Sequence, residues 1–183
     1  MINLRSQLRQ RLLGYYFTNP AAEHYLRELA AILQEDPANL SRELAGLSRQ
    51  GLFMWRTSGR QKYFRLNRSY PLYEEFKRII FKTVGVAAEL RNVLERAAGV
   101  QEAYLYGSFA RDQQDASSDI DVLIVGEPDS EKLEETMRKL ERQFKREINY
   151  TVMSAREFQT RRRKKDAFLV DILLHKHINL FSS

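Results

Sequence analysis

Asp119 and Asp121 flank a single isoleucine and run straight into the apolar string Val122-Leu123-Ile124-Val125. A short, β-branched run of this kind is what a buried strand needs. Strand side chains alternate, so the two carboxylates share one side while Ile120 points into a core. Carboxylates placed together repel, and each raises the other's cost of ionising unless a cation sits between them. Magnesium, or manganese in its place, suits such a pair. These ions take oxygen ligands, usually one or two carboxylates with substrate phosphates completing the shell.

The residues just upstream belong to the same chemistry. Gly107 permits a tight strand-to-helix turn and close approach of backbone to a ligand. Ser108 then offers a hydroxyl at a helix start, where free amides favour an anion such as phosphate. Arg111 has two readings, as a phosphate contact or as a partner of Asp112 or Asp115.

The remaining pattern divides the chain. Apolar spacing predicts helices over Leu4–Tyr16, Ala21–Leu33 and the stretch from Asp36-Pro37 to Arg49, with Gly51 ending the third. A basic hairpin follows, Leu52–Trp55 and Tyr63–Leu66 around Thr57-Ser58-Gly59-Arg60, with Ser-Gly in its turn. After Pro71 the string Leu72–Val84 reads as a connecting helix, and a break at Gly85 precedes further helix to Ala97. From Gln101 the pattern becomes α/β. Strands are expected at Ala103–Tyr106, Ile120–Val125 and Glu147–Met153, helices at Ser130–Lys145 and Ala155–Lys176, and an edge strand near Ile178–Phe181. The expected organisation is a first module over residues 1–70, a linker helix over 71–84 and a second module over 85–183.

Charge follows the same division. Residues 1–70 carry 11 Lys+Arg against 5 Asp+Glu, whereas residues 71–183 carry 19 of each, so the whole excess of +6 sits in the first module. That asymmetry points to a polyanion-binding segment joined to a balanced one. There is no cysteine, hence no disulfide, thiolate nucleophile or cysteine zinc site. No apolar stretch approaches the roughly 18 residues of a spanning helix, so no membrane partner is expected and cytoplasm is the default address.

Two resemblances sharpen these readings. Gly107-Ser108-Phe109-Ala110-Arg111 followed by Ser118-Asp119-Ile120-Asp121-Val122-Leu123 resembles the signature of the minimal nucleotidyltransferases of the DNA polymerase beta superfamily. The likeness spans about residues 85–183. It implies a small mixed sheet flanked by helices, metal held by Asp119 and Asp121, and a nucleoside triphosphate gripped by Gly107 and Ser108. It also implies transfer of a nucleoside monophosphate with pyrophosphate released, two metal ions serving the attacking and leaving oxygens. The family usually has glycine where this chain has Asp112. It also relies on a third carboxylate, on a neighbouring strand. Here that strand carries Glu147, Asn149 and Thr151 on one face; the third-acid position falls on Asn149 or Thr151, and Glu147 sits early.

Three helices followed by a basic hairpin resemble the winged helix-turn-helix of small prokaryotic repressors, over about residues 5–70, with "NLSRELAGLSRQGL" similar to a recognition helix and its exit. The resemblance implies DNA as partner and a homodimer reading two half-sites. Asn39, Ser41, Arg42, Ser48 and Arg49 are the expected outward residues of that helix, with Arg56, Arg60 and Lys62 meeting phosphates from the hairpin. The whole is therefore expected to be a two-domain α/β (α+β) protein. Two functions stay open: a nucleotidyltransferase with a DNA-binding module, and a DNA-binding transcriptional regulator whose second domain senses nucleotide with little or no turnover.

Overall fold

The computed structural model describes residues 4, 6–111, 113, 115 and 118–181. The chain forms two compact units that divide between Val86 and Ala87.

The first unit runs α1 (Gln7–Thr18), β1 (His24–Tyr25), α2 (Leu26–Leu33), α3 (Pro37–Arg49), β2 (Phe53–Ser58), β3 (Gln61–Leu66) and α4 (Tyr73–Thr83). Its strands form one antiparallel sheet in the order β1-β3-β2. Asp36 caps α3 by accepting from the amides of Ala38 and Asn39, and Pro37 follows at the first turn, where its missing N–H costs nothing. Leu12, Tyr16, Leu29, Leu40, Leu44, Leu47, Leu52 and Ile80 close the core with no side-chain exposure. Tyr16 donates its buried hydroxyl to the Phe64 carbonyl at 2.8 Å, and burial holds its phenol far above the ordinary tyrosine range.

Three local expectations shift. Ala21–Leu33 is not one helix: His24 and Tyr25 pair with Phe64 and Tyr63 as β1, and α2 begins only at Leu26. Asn19 ends α1, its backbone N–H returning to the Tyr15 carbonyl. The hairpin turn lies at Gly59-Arg60, one residue later than Ser-Gly, because Ser58 and Gln61 are still paired. Residues 71–84, read as a connection, contain α4, which packs against α1 and adds Tyr73 and Ile80 to the first unit's core.

The second unit follows from α5 (Val86–Leu94), which starts just after Gly85. It contains β4 (Val100–Tyr106), α6 (Gly107–Arg111), β5 (Ile120–Gly126), α7 (Ser130–Phe144), β6 (Ile148–Met153), α8 (Ala155–Arg163), α9 (Ala167–Leu174) and β7 (Ile178–Asn179). The sheet is mixed, in the order β6-β5-β4-β7, with β5 antiparallel to β4 and parallel to β6. Tyr104, Leu123, Val125 and Met153 pack on Phe158, Leu169 and Ile172 of α8 and α9. Ala103, Leu105, Ile120, Val122 and Ile124 alternate with them and are equally buried. That two-sided burial accounts for the unbroken apolar string of β5. The fold is mixed α/β with a small mixed sheet and flanking helices.

Candidate functional site

Asp121 opens the face of β5 that continues through Leu123 and Val125, and it is half-buried. Its cross-strand neighbours are Tyr106 on β4 and Asn149 on β6. Asp119, just before β5, accepts a hydrogen bond from the Asn149 side-chain amide at 3.1 Å. Asn149, on the edge strand β6, thus stands opposite Asp121 and bonds Asp119. Burial, and then the neighbouring Asp119, push the Asp121 carboxyl above its ordinary range; Arg111 pulls it partly back. Tyr106 is likewise raised, by burial and by Asp121, against a hydrogen bond with Thr151.

Gly107 is where the sequence dictates this geometry most tightly. Its φ of +70° lies in the left-handed region, and a Cβ there would stand 2.1 Å from Asp121 Oδ2. Only glycine lets the turn after β4 pass the carboxylate so closely. Ser108 is half-buried beside it, and Phe109 and Ala110 anchor α6 in the core. Arg111 is exposed, with its Nε 3.3 Å from Gln113 Oε1. Ser118 holds a small turn with Asp115, whose amide donates to Ser118 Oγ at 2.9 Å. Asp112 lies outside the described residues.

The parallel register places Asn149 and Thr151 differently. Asn149 stands directly opposite Asp121, whereas Thr151 stands opposite Leu123 and turns to Tyr106. Glu147 stays one alternation ahead of Asn149; its carbonyl accepts from the Ile120 amide at 2.9 Å, which sets its backbone alongside Asp119. Among the described residues no three His, Cys, Asp or Glu side chains converge as a metal-binding group. The oxygens of Asp119 and Asp121 match the donor set of one hard divalent cation, with the remaining positions left to a ligand or water.

In the first unit, α3 exposes Asn39, Ser41, Arg42 and Arg49, and none of its exposed residues is acidic. Arg42 donates to the Asn39 side chain, and the helix's one acid, Glu43, is half-buried and paired with Arg9. Ser48 departs from the expected set: it is half-buried with Oγ withdrawn from solvent. On the hairpin Arg56 is held by both carboxylate oxygens of Glu23, at 2.6 to 3.0 Å. Its guanidinium also lies 5.0 Å from the Tyr63 ring centre. Arg60 is exposed at the turn, and Lys62 Nζ sits 4.3 Å over the half-exposed Trp55 ring. Periodicity reveals neither the Glu23–Arg56 pair nor the Trp55–Lys62 stack, because both depend on hairpin register.

Residues 87–176 match the family model of the nucleotidyltransferase domain, so the second unit carries a domain of that class. No curated protein matches the chain. Among solved structures it is similar to a toxin-antitoxin with AMP-PNP, at 18% identity over 53% of this chain and 73% of that one, with a TM-score of 0.39. It is also similar to MepR, a transcription regulator of the Staphylococcus aureus multidrug efflux pump MepA, at 20% identity over 51% and 66%, with a TM-score of 0.36. Likenesses this low leave function to the residues themselves. No helix among the described residues is long and apolar enough to cross a membrane.

Proposed function

We propose that the second unit binds a nucleoside triphosphate with a divalent cation, magnesium or manganese, and transfers a nucleoside monophosphate to an acceptor hydroxyl. The observation that carries this reading is the Asp119–Asp121 pair, with Gly107 packed so close to Asp121 that no side chain fits between them. Asp119 and Asp121 would hold the cation, which when bound would neutralise the pair and draw charge from the phosphoryl oxygens. Gly107 and Ser108 would border the triphosphate, and Arg111, already close enough to act on Asp121, would reach a phosphate.

Turnover is expected to be slow. Asn149 occupies the position opposite Asp121, and an amide cannot take the acceptor's proton. Lack of a general base typically costs 10²–10⁴-fold. The test is pyrophosphate release from magnesium–ATP and magnesium–GTP, with parent, Asp119→Ala and Asp121→Ala run side by side. Release that disappears in both variants supports transfer; equal release from all three rejects the assignment.

The Asn149–Asp119 hydrogen bond favours a second reading, in which the unit senses nucleotide and the first unit binds DNA. The acid-free exposed face of α3 and the exposed Arg60 suit a phosphate backbone, and Asn39, Ser41, Arg42 and Arg49 would approach the groove. Arg56, bound to Glu23, would have to exchange that carboxylate for phosphate. A log affinity for DNA that falls steeply with log salt, and that shifts when nucleotide is added, supports this reading. DNA binding indifferent to saturating nucleotide removes the sensor.

A further inference from the structure

Arg146 has a buried charge that the site described above does not use. It is 8% exposed, one of the few buried polar residues among those described. It lies in the three-residue passage from α7 to β6. Lys145, with a left-handed φ of +53°, ends α7 by returning its N–H to the Glu141 carbonyl, and the chain turns there. A non-glycine residue keeps that conformation only where its surroundings impose it. Here the turn delivers Arg146 inward. Its Nη1 donates to the Ser118 carbonyl at 3.0 Å, and its guanidinium carbon lies 5.9 Å from the centre of the buried Phe109 ring.

Both partners adjoin the site. Ser118 precedes Asp119, and Phe109 follows Ser108. Immediately after Arg146, the Glu147 carbonyl accepts the Ile120 amide, so the same short segment also fixes the residue between the two aspartates. We propose that Arg146 is a positioning residue: its guanidinium ties the Ser118 carbonyl and the Phe109 ring together, and so sets Asp119 and Ser108 at their working separation. A buried guanidinium is costly unless it is hydrogen-bonded, and a charged donor makes the stronger kind of bond. Arginine suits the place because it can bond at its edge and stack on a ring at once, which lysine cannot. This inference rests on the metal–nucleotide reading for its purpose, but not for its geometry.

The test uses the full chain with Arg146→Met, which keeps an unbranched apolar stem, and Arg146→Lys. Amide exchange of Ile120, referenced to the interior of β4, reads the geometry; Mn2+ alone, titrated by calorimetry, reads the site. In Arg146→Met, Ile120 exchange is expected to quicken about tenfold or more relative to β4, and Mn2+ affinity to fall about tenfold or more, as loss of a charged hydrogen bond implies. Arg146→Lys should recover part of both, since its ammonium can still reach the Ser118 carbonyl. Should the methionine variant fail to fold, the lysine variant carries the comparison with a smaller shift. Parent-like Ile120 protection overturns the inference, and so does parent-like Mn2+ affinity alongside a loosened Ile120. If the parent itself does not bind Mn2+, the metal reading fails, and the Ile120 comparison still decides what Arg146 does.

Discussion

Replacing Gly107 with alanine acts on conformation and on the site by separate routes. Holding alanine at φ +70° costs about 1–2 kcal/mol. The stiffer unfolded chain returns about 0.4–1 kcal/mol of that. The new Cβ would then meet Asp121 Oδ2 at 2.1 Å and Cγ at 3.1 Å. The carboxylate is the free end of a side chain, so it swings aside rather than unfolding the strand, at roughly 0.5–1.5 kcal/mol for a displaced rotamer. A net loss of about 1–2 kcal/mol is expected. Urea unfolding followed by far-UV circular dichroism measures it. Trp55, the only tryptophan, reports the first unit alone and separates its transition. In an Asp121→Ala background the collision disappears and only the conformational part should remain, a coupling on the order of 1 kcal/mol. Magnesium-dependent nucleotide binding should be lost in the single variant, because the carboxylate no longer points where it did. A Gly107→Ala protein as stable as the parent, or one that binds nucleotide normally, refutes the reasoning.

Asp121→Asn removes one of two repelling carboxylates and should stabilise the metal-free protein by about 0.5–2 kcal/mol while abolishing metal binding, the expected exchange of function for stability; a thermal shift of the opposite sign contradicts it. Asn149→Asp places a carboxylate opposite Asp121, and pyrophosphate release should rise by about 10²-fold if the absent base limits turnover. An unchanged rate in Asn149→Asp means that the base is not what limits. Glu89, raised above its ordinary range by burial, binds its proton more tightly folded than unfolded. Its contribution is therefore present at pH below the unfolded value and is lost as pH rises through the folded one. Glu89→Gln should accordingly stabilise the protein more at pH 7 than at pH 4, as denaturation midpoints at the two pH values would show.

Much of this was legible in the chain because local chemistry and fold agreed. The apolar run after Asp119 and Asp121 declared a strand, and the structure sets Asn149 opposite Asp121 and in a hydrogen bond with Asp119. The break at Gly85 could likewise be read ahead, while the small mixed sheet came from the family resemblance of the signature. What escaped depended on partners distant in sequence. β1 is only two residues long and exists because β3 offers His24 and Tyr25 a ladder, so helical periodicity ran over it. The hydroxyl of Ser48 turned inward, although its position along α3 suggested an outward one. Arg146 fell between the expected helix ending at Lys145 and the expected strand beginning at Glu147. Its burial follows from the left-handed turn at Lys145, which alternation and composition do not signal.

Calorimetric titration of the parent and of Asp121→Ala with ATP and GTP, with and without magnesium, tests the central claim most directly. The account predicts nucleotide binding by the parent that depends on magnesium and is lost in Asp121→Ala. Binding that ignores magnesium, or that survives the loss of Asp121, would contradict it.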